Sequence, residues 1–183
     1  MRLTPVVLVA VVAVLLSGCS ASTSVPAAAS TPAAISEAVW VKWANAHLGC
    51  QYGAELVLPV QPWVAEGNGG RNYLVVSECQ TGDSSAFSQL DVFDGRSTDS
   101  DLIHLATLVP GNYVAKQASG VMIRSISAGQ AGITVIGAKY LETDPQACPS
   151  IKWAQEFAWD NGHFVAGPPK TEHTSDGGVP ACQ

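Results

Sequence analysis

Positive charge is scarce in this chain. Nine Lys and Arg face fifteen Asp and Glu over 183 residues, a formal net charge of −6 at pH 7. Nucleic-acid binding and electrostatic attachment to anionic lipid both depend on clustered cations, and this balance excludes nucleic acid as a partner. Apolar runs are short as well. The longest, Val6–Leu16, falls well below the roughly 20 residues that a membrane-spanning helix needs. Gly-x-Ser-x-Gly, Ser-x-x-Lys, His-Glu-x-x-His and the glycine-rich phosphate loops are all missing. So is any Cys-x-x-Cys pair, which leaves zinc and redox chemistry without a motif and no cofactor expected.

What is present begins at the N-terminus. Residues 1–18 carry one cation, Arg2, then the apolar run, then the small pair Ser17-Gly18. That order describes a secretory signal peptide. Leu16-Ser17-Gly18-Cys19 resembles the lipobox of bacterial lipoproteins. The resemblance implies that the Cys19 thiol receives diacylglycerol, that the preceding peptide is removed, and that the new amine is often acylated, for instance with palmitate. Two or three acyl chains hold a protein durably on a membrane, so the expected location is the extracytoplasmic face of the cell membrane. Residues 19–31 are almost wholly Ala, Ser, Thr, Val and Pro and read as a flexible tether. Residues 32–183 are then one domain of ordinary size.

With Cys19 assigned to lipid, Cys50, Cys79, Cys148 and Cys182 remain, an even number that suits an oxidising compartment. Among the three possible pairings, Cys50–Cys79 and Cys148–Cys182 each close a local loop of roughly 30 residues and are favoured. Thr31-Pro32 offers a cap and a first-turn proline, Ile35, Val39 and Trp43 recur every four residues, and Gly49 stops the pattern. A helix over about 32–48 is expected.

Strand signals follow at 54–60, 72–78, 88–93, 121–127, 133–140, 151–159 and 163–165, with Gly129–Gly132 and Asp160-Asn161-Gly162 as hairpin turns. Residues 99–110 are ambiguous, since Leu102, Leu105 and Leu108 fit a short helix. In 151–159, Ile151, Trp153, Phe157 and Trp159 fall on one face opposite Lys152 and Glu156. The expected fold is α+β: one N-terminal helix on a largely antiparallel sheet of about six or seven strands, stapled by disulfides.

Ligand-bearing residues are few. Asp91, Asp94, Asp99 and Asp101 lie within eleven residues and are weak candidates for Ca²⁺, a hard cation that prefers oxygen. Arg96 intrudes among them, and the spacing is not that of an EF-hand. Gly67–Arg71 is a candidate anion loop, and Gly82-Asp83-Ser84 superficially matches a lipase nucleophile block without its following Leu. The four histidines, His47, His104, His163 and His173, are dispersed.

Val75–Cys79, Asp91–Gly95, Ala147–Ser150 and Phe157–Gly162, together with the lipobox, resemble the mycobacterial LppP/LprE-type lipoproteins. That resemblance implies a cell-envelope location and supplies no catalytic residue. The leading expectation is a non-catalytic envelope lipoprotein binding a protein, glycan or lipid partner. The alternatives are an envelope-polymer hydrolase, which needs Asp91 or Asp94 to meet a His, and a lipid carrier with an apolar cavity. Cys19→Ser is expected to abolish incorporation of a clickable fatty acid and leave unprocessed precursor; a variant that still takes up label at its N-terminus would contradict the lipobox reading.

Overall fold

A computed structural model of the chain describes residues 34–64, 70–80, 87–111, 120–141, 144 and 148–174. Cys19, the tether, Thr31-Pro32, Gly67–Gly69, Gly82–Ser84 and Cys182 lie outside them. The regular structure among the described residues is one helix and two antiparallel sheets of five strands each.

Sheet one contains β1 (Ala54–Leu56), β2 (Gln61–Val64), β3 (Arg71–Cys79), β4 (Ser88–Asp94) and β5 (His104–Val109). Its order is β1-β3-β4-β5, with β2 also on β3. β1 and β2 are two pieces of one edge, Ala54 standing opposite Cys79 and Val64 opposite Arg71. Pro59 falls in the break and Pro62 within β2. A residue without an N–H is tolerated there because an edge strand has one unpaired side.

Sheet two contains β6 (Met122–Gly129), β7 (Gly132–Lys139), β8 (Ile151–Asp160), β9 (His163–Ala166) and β10 (Lys170–His173). β9 and β10 again share one edge, that of β8, and Pro168-Pro169 marks their break.

Side chains alternate across a strand, so each sheet presents two faces. On the inner face of sheet one stand Leu74, Val76, Leu90, Val92 and Val109; on that of sheet two stand Ile123, Ile133, Val135, Trp153 and Phe157. All are buried in a single cluster, so the two sheets pack face to face. Trp63 joins that cluster, and its indole Nε1–H donates to the Gly129 carbonyl at 2.8 Å, pinning β2 to the β6–β7 turn. At another corner the Ser88 N–H donates to the Val121 carbonyl and the Ile123 N–H to Ser88 Oγ.

The helix α1 (Glu37–Leu48) covers the outer face of sheet one. Trp40 and Trp43 meet Phe93 edge-on, with centroids 4.9 and 4.8 Å apart. Such aromatic pairs add to the energy of burial. Its buried stripe is Trp40, Ala44 and Leu48, with Ile35, Val39 and Trp43 only partly buried, so the expected stripe is displaced by one position. The start differs too. Ile35 is not helical, and Ser36 holds an extended conformation as N-cap. The Ser36 N–H donates to Asp99 Oδ1 at 3.1 Å, so a tertiary contact helps define where the helix begins. At the far end Cys50–Cys79 joins the segment after α1 to the end of β3, in agreement with the expected pairing.

Two further expectations are corrected. The single sheet of six or seven strands is two sheets, because alternation reveals that a strand buries one face and not what covers it. The ambiguous 99–110 segment contains strand β5, not a helix. Its three-residue leucine spacing comes from two bulges: the β4 register runs Leu90–Val109, Asp91–Thr107, Val92–Ala106, Phe93–His104 and leaves Leu108 and Leu105 as the extra residues.

Trp153 is 4% exposed at the centre of the inter-sheet cluster, whereas Trp159 is only partly buried. Trp153→Ala is expected to cost about 3–5 kcal/mol through lost burial and a residual cavity, and Trp159→Ala clearly less. Chemical denaturation checks this; equal effects from the two would show that the inter-sheet core lies elsewhere.

Candidate functional site

The sandwich is not closed along every edge. Between β5 of sheet one and the β8–β9 hairpin of sheet two lies a groove of about 500 Å³, lined by Asp94, Leu105–Leu108, Phe157, Trp159, Gly162–Phe164 and Ala166. The sequence builds each wall locally. On one side, the bulges of β5 bring both leucines to the groove, with Leu105 45% exposed. On the other, Asn161 and Gly162 adopt φ of 47° and 91°, the left-handed pair that a tight two-residue hairpin requires. That turn sets Trp159 directly across from Phe164, their rings 4.9 Å apart and edge-on. Trp63 meets both, at 5.4 and 5.3 Å, and completes a three-ring cluster.

Polar side chains belong to the lining as well. The Asp94 carboxylate accepts from Arg96 three times: Nη2 to Oδ2 at 2.7 Å, Nε to Oδ1 at 2.9 Å and the backbone N–H to Oδ1 at 2.8 Å. The guanidinium hydrogen bonds hold its pKa below the ordinary aspartate value; partial burial pulls the other way, and the backbone bond and the Arg96 charge add to the lowering. The adjacent turn is tightly packed, since a Cβ at Gly95 would collide with the Arg71 carbonyl oxygen. Directly across the β3–β4 ladder from Asp94 is Asn72, which also stands opposite Trp63. Opposed residues of an antiparallel pair share a face, so Trp63, Asn72 and Asp94 form a row on the inner face. Asn72 is 3% exposed, and among the described residues its buried Nδ2 has no hydrogen-bond partner. His163 stands exposed on the groove rim.

The four aspartates singled out in the sequence have separate partners. Asp91 is fully buried on the helix-covered face of β4. Its Oδ1 accepts from Thr107 Oγ1 at 2.6 Å and His104 Nε2 at 3.0 Å, and its Oδ2 from Gln89 Nε2 at 2.8 Å. The bulge at Leu105 is what lets His104 and Thr107, three apart, converge on one carboxylate. Asp94 is paired with Arg96, Asp99 holds the helix start, and Asp101 exchanges backbone bonds with Thr98. Among the described residues no three His, Cys, Asp or Glu groups gather as a metal site requires.

The remaining histidines serve local ends: His47 stacks on Trp43 at 4.1 Å, and His173 lies on the exposed strand β10. Cys148 is disulfide-bonded, and Cys182, its expected partner, lies outside the described residues. Of the groove residues, the sequence singled out Asp94 in the aspartate cluster, Phe157 and Trp159 on the aromatic face and His163 as a dispersed histidine, and it held Phe164 only within the strand signal at 163–165. Leu105, Leu108 and Asn72 carried no signal, because the first two depend on bulges and the third on strand register.

The chain matches no family model, no curated protein and no solved structure.

Because its pKa is depressed, Asp94 contributes stability that is present above the unfolded aspartate value and lost as pH falls through the lowered one. Arg96→Ala is expected to raise the Asp94 titration towards the ordinary aspartate range in a carboxyl NMR experiment. An unchanged midpoint would show that Arg96 is not what holds it.

Proposed function

We propose that this chain is an exported lipoprotein of the LppP/LprE-like kind, anchored through diacylglycerol on Cys19 at the extracytoplasmic face of the cell membrane. Its domain acts as a non-catalytic binding module for an envelope component taken up in the groove between β5 and β9. The observation that carries the second part is the groove's lining. Apolar and aromatic side chains of Leu105, Leu108, Trp159 and Phe164 share the concave lining with the polar groups of Asp94, Thr107 and His163, a mixed surface suited to take up a ligand. The address rests on the leader and on Leu16–Cys19 alone.

One observation favours a hydrolase as the second reading: Asp91 and His104 do meet, at 3.0 Å. The pair is poorly placed for nucleophilic catalysis. Thr107 gives its hydroxyl hydrogen to Asp91 rather than to the imidazole, and Asp91 lies on the opposite face of the sheet from the groove core. A buried carboxylate satisfied by three donors is a stabilising arrangement in its own right. The third reading, a lipid carrier, calls for a deep enclosed apolar cavity, whereas this groove is open and carries Asp94 and His163.

The test uses the full-length protein with three envelope fractions: total lipid, delipidated wall glycan and soluble envelope protein. A bound ligand stabilises by mass action, about 2.7 kcal/mol at a hundred times its dissociation constant. One fraction is expected to raise the melting temperature, and Leu105→Arg, which fills the groove mouth with charge, is expected to erase that rise. A rise that survives Leu105→Arg would place binding elsewhere, and no rise with any fraction would contradict the binding-module reading.

A further inference from the structure

We infer that the groove is a subsite for one ring of a neutral glycan, with Asn72 and Asp94 as its hydroxyl-recognising pair and Trp159 and Phe164 as its apolar platform. The inference rests on the groove reading above and names the ligand class.

Three classes of ligand compete for such a site, and the geometry separates them. An extended peptide would add a strand to β5, whose outer side has no ladder partner among the described residues. Strand addition needs an even repeat of N–H and C=O groups, and the two bulges at Leu105 and Leu108 interrupt it within six residues. An acyl chain needs a dry tunnel, yet an ionised carboxylate, Asp94, stands in this groove. A sugar ring suits what is left. Its C–H faces pack on aromatic rings, and its rim hydroxyls both donate and accept.

The Asn72 amide is the decisive group. A buried donor with no partner carries a desolvation penalty that native structures avoid unless something else satisfies it. It lies on the inner face between Trp63, which touches both groove rings, and Asp94, which lines the groove. Donor and acceptor thus stand side by side across one ladder step. Among the described residues Asp94 Oδ2 receives a single bond, from Arg96, which leaves it a lone pair. Two neighbouring hydroxyls of a pyranose can then be held together, one donating to Asp94 and the other accepting from Asn72. Asn72 Nδ2 is covered in the free chain, so binding includes an opening of the groove towards Asn72, whose ladder neighbour is Trp63. That motion gives the experiment its signal.

The full-length chain in a zwitterionic, sugar-free detergent is titrated with maltohexaose, cellohexaose, mannohexaose, arabinohexaose and chitohexaose, and separately with palmitate and an extended decapeptide, while tryptophan emission is followed. At least one hexaose is expected to give a saturable change. Asn72→Leu, which replaces the orphaned amide with an apolar group, is expected to raise the melting temperature and weaken that hexaose at least tenfold. Asp94→Asn, at a partly exposed site, is expected to keep the fold and weaken binding at least fivefold. Hexaose binding unchanged in both variants, or no hexaose binding at all, would overturn the glycan assignment. If palmitate or the peptide binds instead and Leu105→Arg abolishes it, the groove stands and only the ligand class falls; if no probe and no envelope fraction binds, both readings fall.

Discussion

Everything else in this domain depends on two sheets burying their inner faces against each other. Leu74, Val76, Leu90 and Val92 meet Ile123, Ile133, Val135, Trp153 and Phe157 in one cluster, which has more buried members than either other apolar cluster among the described residues. The helix is an addition to this frame, fastened to the outer face of sheet one by Trp40 and Trp43 on Phe93 and by the Cys50–Cys79 bridge. Twisted sheets packed face to face cannot stay in register along all of their edges. Where β2 meets the β6–β7 turn, Trp63 closes the gap with a ring and a hydrogen bond. At β5 and β9 the gap stays open, and the groove is that opening.

The bulges of β5 belong to the same open edge. A regular edge strand would present a continuous row of unpaired backbone groups, an invitation to pair with another chain. Two extra residues in six remove that regularity. They also turn Leu105 and Leu108 into the groove and draw His104 and Thr107 together on Asp91. Edge protection, groove wall and buried polar anchor are therefore consequences of one local irregularity.

Period-two patterning made most strands legible from sequence, and 151–159 is the clearest case: Trp153 and Phe157 are core, and Lys152 and Glu156 face outward. Asn161-Gly162 gave the β8–β9 hairpin for the same reason, since a positive-φ pair has few other uses. Cys50–Cys79 followed from loop length. What was not legible depends on partners distant in sequence. Strand β10, Lys170–His173, is exposed throughout and has no apolar alternation to announce it. The helix start depends on Asp99, 63 residues away. The number of sheets depends on what covers each buried face, and the bulges break the alternation that sequence reading relies on. The site was hidden for both kinds of reason: the bulges place Leu105 and Leu108, and although Asp94 was visible as a residue, its neighbour Asn72 is defined only by the β3–β4 register.

The claim most exposed to refutation is that ligand enters between β5 and β9. Amide chemical-shift mapping of the full-length chain, titrated with delipidated envelope glycan, tests it directly. The account predicts changes confined to Leu105–Leu108, Asn72, Asp94 and the Trp159–Ala166 hairpin. Changes clustered instead on the outer face of sheet two, at Ser125, Thr134 and Ile136, or along α1, would contradict it.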